Sequence, residues 1–239
     1  MIAVTSIAPN HINENVQQVA VNSWLKLGFK VYSFNSFDEC VLLKPLYPDV
    51  IFIPTQKTME LTFGKPYVSI NFLFDWCKGQ SHSDICLINS DIELKTDKET
   101  INKIFDKAKD NIVMANRVNH NGDYVGSHYL HGIDVFFLNI KYLKIFPQTL
   151  FCLGQCHFDY WIPLVANSYQ INTIFVEQKI AYHLDHAQRY SHENWLKTGR
   201  YLILDRSLYQ FNMSAASDIG RMSTMCYNQI YNFSKRETI

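Results

Sequence analysis

Hydrophobic and polar positions fall into two rhythms along the first half of the chain. Ile2 to Ile7 is a short β-favouring run that ends at Ala8-Pro9-Asn10. From Glu14 to Leu27 the apolar residues Val16, Val19, Ala20, Trp24 and Leu27 recur at helical spacing, and Gly28 stops the pattern. Lys30 to Phe34 predicts a strand, and Val50 to Ile53 predicts another, closed by Pro54. A helix is expected from Ser69 to about Lys78, a strand from Ile85 to Ile88, and a second strong helix from Lys98 to Lys109. This alternation predicts a parallel α/β sheet with crossover helices.

The second half is mixed. Ile112 to Asn116 and Val135 to Leu138 read as strands, with a Gly- and His-bearing connection between them. Phe158 to Val165 predicts an amphipathic helix, with Pro163 in its first turn or bending it. Asn172 to Val176 predicts a strand, and from Trp195 onward the pattern is helical. Without repeats, low-complexity tracts or a linker, the economical expectation is one α/β domain with a mixed central sheet and a helical C-terminal tail.

Ligands of such sheets gather where the C-terminal ends of the strands open into loops. That rule points to Thr5, Ser6, Pro9 and Asn10, to Asn35 with Asp38 and Glu39, and to Asn89-Ser90-Asp91. The last triplet stands out because Asp91 follows an apolar run, where an unpartnered carboxylate is costly. Asp91 caps the next turn, sits exposed in a turn, or holds a hard divalent cation through oxygen.

Composition narrows the classes. With 22 basic and 22 acidic residues the formal charge is zero, and no basic stripe marks a nucleic-acid partner. Aromatic residues make up 14%, compatible with stacking on a sugar or base and equally with an ordinary core. Six cysteines without C-x-x-C spacing read as reduced thiols of a cytoplasmic protein, although Cys152, Cys156 and His157 sketch a zinc half-site. No apolar stretch approaches the ~20 residues of a spanning helix, so membrane contact would be peripheral.

Four places in order resemble a nucleotide-sugar-dependent glycosyltransferase of the GT-A fold, like those of family 2. The opening strand with TSIAPNH leads to a helix ending in SWLKLGF, and the next strand closes with YSFNSFDE. LINSDIEL is similar to that fold's Asp-x-Asp metal motif with Asn89 at the first position. HGIDVFFL followed by GQCHFDYWIPL is similar to the acceptor-side segment of such enzymes.

The resemblance implies a Rossmann-like GT-A domain over residues 1–190. Residues 1–115 would form its nucleotide-sugar half and 116–190 its acceptor half, with 191–239 a helical extension. Asp91 would bind Mn2+ or Mg2+, with Asn89 or Ser90 near the ribose. Thr5, Ser6 and Asn35 would line the nucleotide pocket, with Glu39 beside them. Asp159 would be the base that deprotonates an acceptor hydroxyl, which favours inversion; it is equally placed to serve as a first-turn helix residue. Tyr160 and Trp161 would flank the acceptor. His183 or His186 would complete the metal shell, or else pack beside Tyr182 and Tyr190. Asp134 would position donor-sugar hydroxyls or serve a turn, and Arg189 could meet a phosphate or form a surface salt bridge. The implied partners are a nucleotide-diphosphate sugar and a glycan or other hydroxyl acceptor, in glycan biosynthesis.

Two rivals stand beside this reading. One is a phosphoester hydrolase using metals at His183, Asp185 and His186. The other is a fold that binds a nucleotide or glycan without turnover, for which Asn89 is the best support.

Overall fold

The computed structural model describes residues 1–9, 15–186 and 191–239. The expected contributions of Asn10 and Arg189, the neighbour Tyr190 and the predicted helix start at Glu14 lie outside the described residues.

In chain order the first half runs β1 (Ile2–Thr5), α1 (Val16–Lys26), β2 (Lys30–Ser36), α2 (Phe37–Leu43), β3 (Ile51–Thr55) and α3 (Glu60–Phe63). Then come α4 (Ile70–Lys78), β4 (Asp84–Ile88), β5 (Ile92–Leu94) and α5 (Lys98–Ala108). The second half runs β6 (Ile112–His120), β7 (His128–Asn139), α6 (Phe158–Ser168), β8 (Thr173–Val176) and β9 (Ala181–Leu184). It closes with α7 (His192–Leu204), α8 (Ile219–Phe233) and β10 (Lys235–Glu237).

Among the described residues the strands form one ten-stranded sheet, whose main path is β10-β8-β6-β7-β4-β1-β2-β3. β4, β1, β2 and β3 are mutually parallel, while β7 runs antiparallel to both β4 and β6. The parallel strands expected in the first half are present, and β7 makes the whole sheet mixed. Period-two alternation sends successive side chains to opposite faces. Ile85 and Leu87 of β4 join one apolar layer with α4, α6 and α8, whereas Cys86 and Ile88 join the other with α1, α2 and α5. Helices therefore cover both faces. None of them among the described residues is long and apolar enough to cross a membrane.

Several features depart from the sequence expectations, among them α3, β5 and β9, for which no element was expected. α2 follows β2 without a loop: Ser36 accepts from the Glu39 N–H, and Glu39 returns a bond to the Ser36 N–H. The spacing Ser36-x-x-Glu39 is the sequence signal of this reciprocal cap. Of the two placements expected for Pro163, the first turn is excluded, because it sits further inside α6. The residues expected to be an all-helical tail also end in a strand, β10, which pairs with β8 at the sheet edge. The tail packs closely as well: a Cβ on Gly199 of α7 would lie 2.4 Å from Ile219 Cγ2 of α8, so only glycine admits this approach.

Candidate active site

The direction of each strand decides what meets at the open edge. β4 and β1 deliver their C-terminal loops there. β6 and β9 run parallel to one another and bring Arg117 and His183 to the same edge. β7 runs the other way, so its N-terminal part contributes Gly132 and Asp134. A crevice of about 1110 Å³ opens at this edge.

Asp91 lies in the turn between β4 and β5. Because Ile92 pairs with His183, the ladder between β5 and β9 carries Asp91 alongside His183. His183 Nε2 is 3.6 Å from Asp91 Oδ2, and His186 Nε2 is 3.5 Å from the same oxygen. One ligand atom from each of the three residues lies within 4.8 Å of the others, the one such group found among the described residues. His183 is 5% exposed, and its Nδ1 has no hydrogen-bond partner among them. A carboxylate oxygen with two imidazole nitrogens is a donor set that suits a divalent ion of borderline softness, so the residues fit a metal.

Asn89 has a structural reason. Its amide nitrogen donates to Asp134 Oδ1 at 2.5 Å. A carboxylate at position 89 would bring two like charges to that distance. Arg117 takes the other oxygen, Nη1 donating to Asp134 Oδ2 at 3.2 Å, while its Nε donates to Asn119 at 2.9 Å. Burial works against the guanidinium charge, but Asp134 and then Asp91 hold its pKa above the ordinary value. Asp134 is thus committed on both oxygens.

Asp159 occupies the first turn of α6 and lines the crevice. Its two sequence readings, helix-end carboxylate and base, therefore fall on one position. Burial above all, and the Asp134 charge after it, push its pKa up to about 8, while backbone N–H groups and Arg117 pull the other way. The loop before it is held from two sides. Leu153 and Gly154 make a tight turn, Gly154 at φ +80° with the Gln155 N–H donating to the Cys152 carbonyl. His157 bonds through Nδ1 to Thr198 of α7 at 2.9 Å and through Nε2 to Ser223 of α8 at 3.0 Å. Burial lowers the His157 pKa to about 4, and with both nitrogens engaged the zinc half-site has no histidine to offer.

The remaining expected residues divide. Ser6, Asn89, Ser90, Asp91, Asp134, Asp159, Tyr160, His183 and His186 all border the crevice. Thr5 is fully buried in β1. Asn35 is a buried pin rather than a lining residue: its amide donates to the Ile7 carbonyl at 2.8 Å and accepts from Ser33 at 2.6 Å, and Glu39 reaches the crevice instead. Trp161 also turns away. Its ring is 0% exposed beside Phe146 and Phe151, and its indole N–H donates to Asp205 at 2.8 Å. On this helix Trp161 stands about 200° around the axis from Asp159, so the two face opposite sides.

Three contributors escaped sequence reading. Arg117 gave a weak signal, a cation interrupting an apolar strand. Gln17 of α1 is 1% exposed; in the amide orientation that satisfies its neighbours it brackets the Ala8 backbone at 2.9 Å and accepts from Ser90 at 2.6 Å. It ties the loop after β1 to the Asp91 turn, and nothing in a helical polar position announces that. Trp195 lines the crevice and stacks on His192 at 5.6 Å with 21° between the rings. Their three-residue separation on α7 was the available hint.

No protein-family model matches the sequence, and no curated protein matches it. Among solved structures the chain is similar to S. aureus TarS, with 15% identity and a TM-score of 0.55 over 98% of this chain and 44% of that one. It thus spans less than half of TarS. A candidate nucleotide-diphospho-sugar transferase of Desulfovibrio desulfuricans G20 aligns at 10% identity and a TM-score of 0.49, over 96% of this chain and 97% of that one. The likeness to TarS, at that identity, is one of fold: a single α/β domain with a mixed central sheet flanked by helices, consistent with the GT-A architecture.

Proposed function

We propose that this chain is a metal-assisted glycosyltransferase that moves a sugar from a nucleotide diphosphate to an acceptor hydroxyl. The observation that carries the reading is the convergence of Asp91, His183 and His186 with Asp159 in one crevice at the strand edge. In it the loops after β1 and β4, with Glu39, receive the nucleotide, so residues 1–115 form the donor half. Residues 116–190 form the acceptor half, and the extension 191–239 adds Trp195 and Ser223 to the wall.

Asp159 takes the proton of the acceptor hydroxyl as that oxygen attacks the anomeric carbon. The bond from that carbon to the diphosphate breaks, and its electron pair leaves with the phosphate oxygen. A carboxylate with a pKa of about 8 is matched to proton abstraction near neutral pH. Attack from the side opposite the leaving group inverts the anomeric centre. Asp91, His183 and His186 would hold a divalent cation, which would supply positive charge to the departing diphosphate. The two imidazoles favour Mn2+ over Mg2+. Arg117, held by Asp134, adds a fixed positive charge nearby. The acceptor is a glycan or similar hydroxyl compound, with Tyr160 and Trp195 on its side.

A two-metal hydrolase receives less support, since one ligand group is found among the described residues. The test is thermal shift with nucleoside diphosphates, with and without manganese, because a ligand selective for the folded state raises Tm. We expect a shift for one nucleotide that grows with manganese, and loss of that manganese increment in Asp91→Ala and His183→Ala. Product analysis should then find sugar transfer in the wild type and none in Asp159→Asn. Absence of any nucleotide shift, or binding with no turnover in the wild type, would overturn the proposal.

A further inference from the structure

We propose that Gln155 reads the hydroxyl groups of the transferred sugar, and so sets which sugar this site accepts. The inference rests on the transferase reading above. Gln155 borders the crevice four residues before Asp159 and is 4% exposed. Neither its amide nitrogen nor its amide oxygen has a hydrogen-bond partner among the described residues. A buried primary amide offers two donors and two acceptor positions, and burying them unmet is unfavourable.

The loop cannot easily turn this side chain to water. Gly154 at φ +80° and His157 at φ +70° fix the backbone on either side. The His157 bonds to Thr198 and Ser223 then fasten that backbone to α7 and α8. The amide is therefore held inside without a protein partner, the arrangement of a recognition group prepared for a ligand.

Its chemistry selects the ligand. An amide is neutral and both donates and accepts, which suits sugar hydroxyls or an acetamido group rather than phosphate. Its depth selects the sugar in question. Under the transferase reading the transferred sugar lies between the diphosphate and Asp159, four residues along the chain from Gln155, whereas the partly buried Trp195 stands on the acceptor side. A site built to hydrogen-bond a hydroxyl discriminates strongly against analogues that lack it.

The decisive experiment compares wild type with Gln155→Leu by thermal shift in manganese. The probes are UDP-, GDP-, CDP- and dTDP-sugars beside the bare diphosphates. In the wild type one nucleotide sugar should give a larger shift than its own diphosphate. In Gln155→Leu the diphosphate shift should persist while the sugar-dependent increment disappears, a loss on the order of tenfold in affinity. The unliganded variant should melt at the same temperature as wild type or higher, because leucine of similar size leaves no amide unmet. An unchanged sugar increment, a wild type that gains nothing from any sugar, or a clear fall in the unliganded Tm would overturn the inference. A wild type that responds to no nucleotide at all would instead refute the transferase reading, and this inference with it.

Discussion

Replacing Asp159 by asparagine should make the protein more stable and stop transfer. Burial, then the Asp134 charge, carry the Asp159 pKa from 3.8 to about 8. In the unfolded chain the carboxyl titrates near its ordinary value. Between those two pH values the folded protein holds a proton that the unfolded chain has lost. Stability therefore falls as pH rises through this window, by about 1.4 kcal/mol per pH unit. The full span corresponds to about 5–6 kcal/mol. Water in the crevice reaches part of the carboxyl and trims this, leaving about 2–4 kcal/mol at pH 8. Asparagine has no such proton to lose. At about 2–4 °C per kcal/mol for a chain of this length, the variant should melt roughly 10 °C above wild type at pH 8 and close to it at pH 5. Scanning fluorimetry from pH 5 to 9 on both proteins measures the gap, and a transfer assay alongside should show a loss of at least about 100-fold. A gap that ignores pH, or a variant less stable at pH 8, would refute the electrostatic account of this carboxyl.

For wild type, kcat/KM for transfer should climb with pH and level off above about 8, as Asp159 loses its proton. Asn89→Asp should not restore a stronger metal motif; facing Asp134, it should cost about 1–3 kcal/mol in urea unfolding and leave manganese affinity by calorimetry no tighter. Arg117→Met should cost about 2–4 kcal/mol by leaving a buried Asp134 oxygen without its cation, with Arg117→Lys a partial rescue because lysine lacks the planar fork. Trp161→Phe should lose about 1–2 kcal/mol with its bond to Asp205 yet leave the acceptor KM unchanged, whereas Trp195→Ala should raise that KM.

The acid limb of stability depends on another residue. His157 is held neutral, its pKa lowered from 6.5 to about 4 by burial. The stability it lends is complete above pH 6.5 and is lost as pH falls toward 4, where the unfolded chain gains a proton that the folded one refuses. Its loss releases the loop that carries Gln155 and Asp159 from α7 and α8.

Local pattern alone determined much of this protein. A short continuous apolar run such as Ile85–Ile88 and helical spacing such as Val16–Leu27 identify elements because burial is decided within a few residues. The order of those elements implied an α/β sheet, and the rule that ligands gather at strand ends singled out Ser6, Asn89, Ser90 and Asp91. Tertiary structure decided what depends on partners distant in sequence. Trp161 and Asp159 stand two residues apart in one helix, yet one faces the core and the other the crevice, a choice set by how α6 rests on the sheet. Asn89 looked like a damaged metal motif until the antiparallel course of β7 set Asp134 against it. Asp91 and His183 meet because β5 pairs with β9 across some ninety residues of chain. Such hydrogen-bonded registers leave little trace in the composition of either strand, whose apolar pattern serves burial and not pairing.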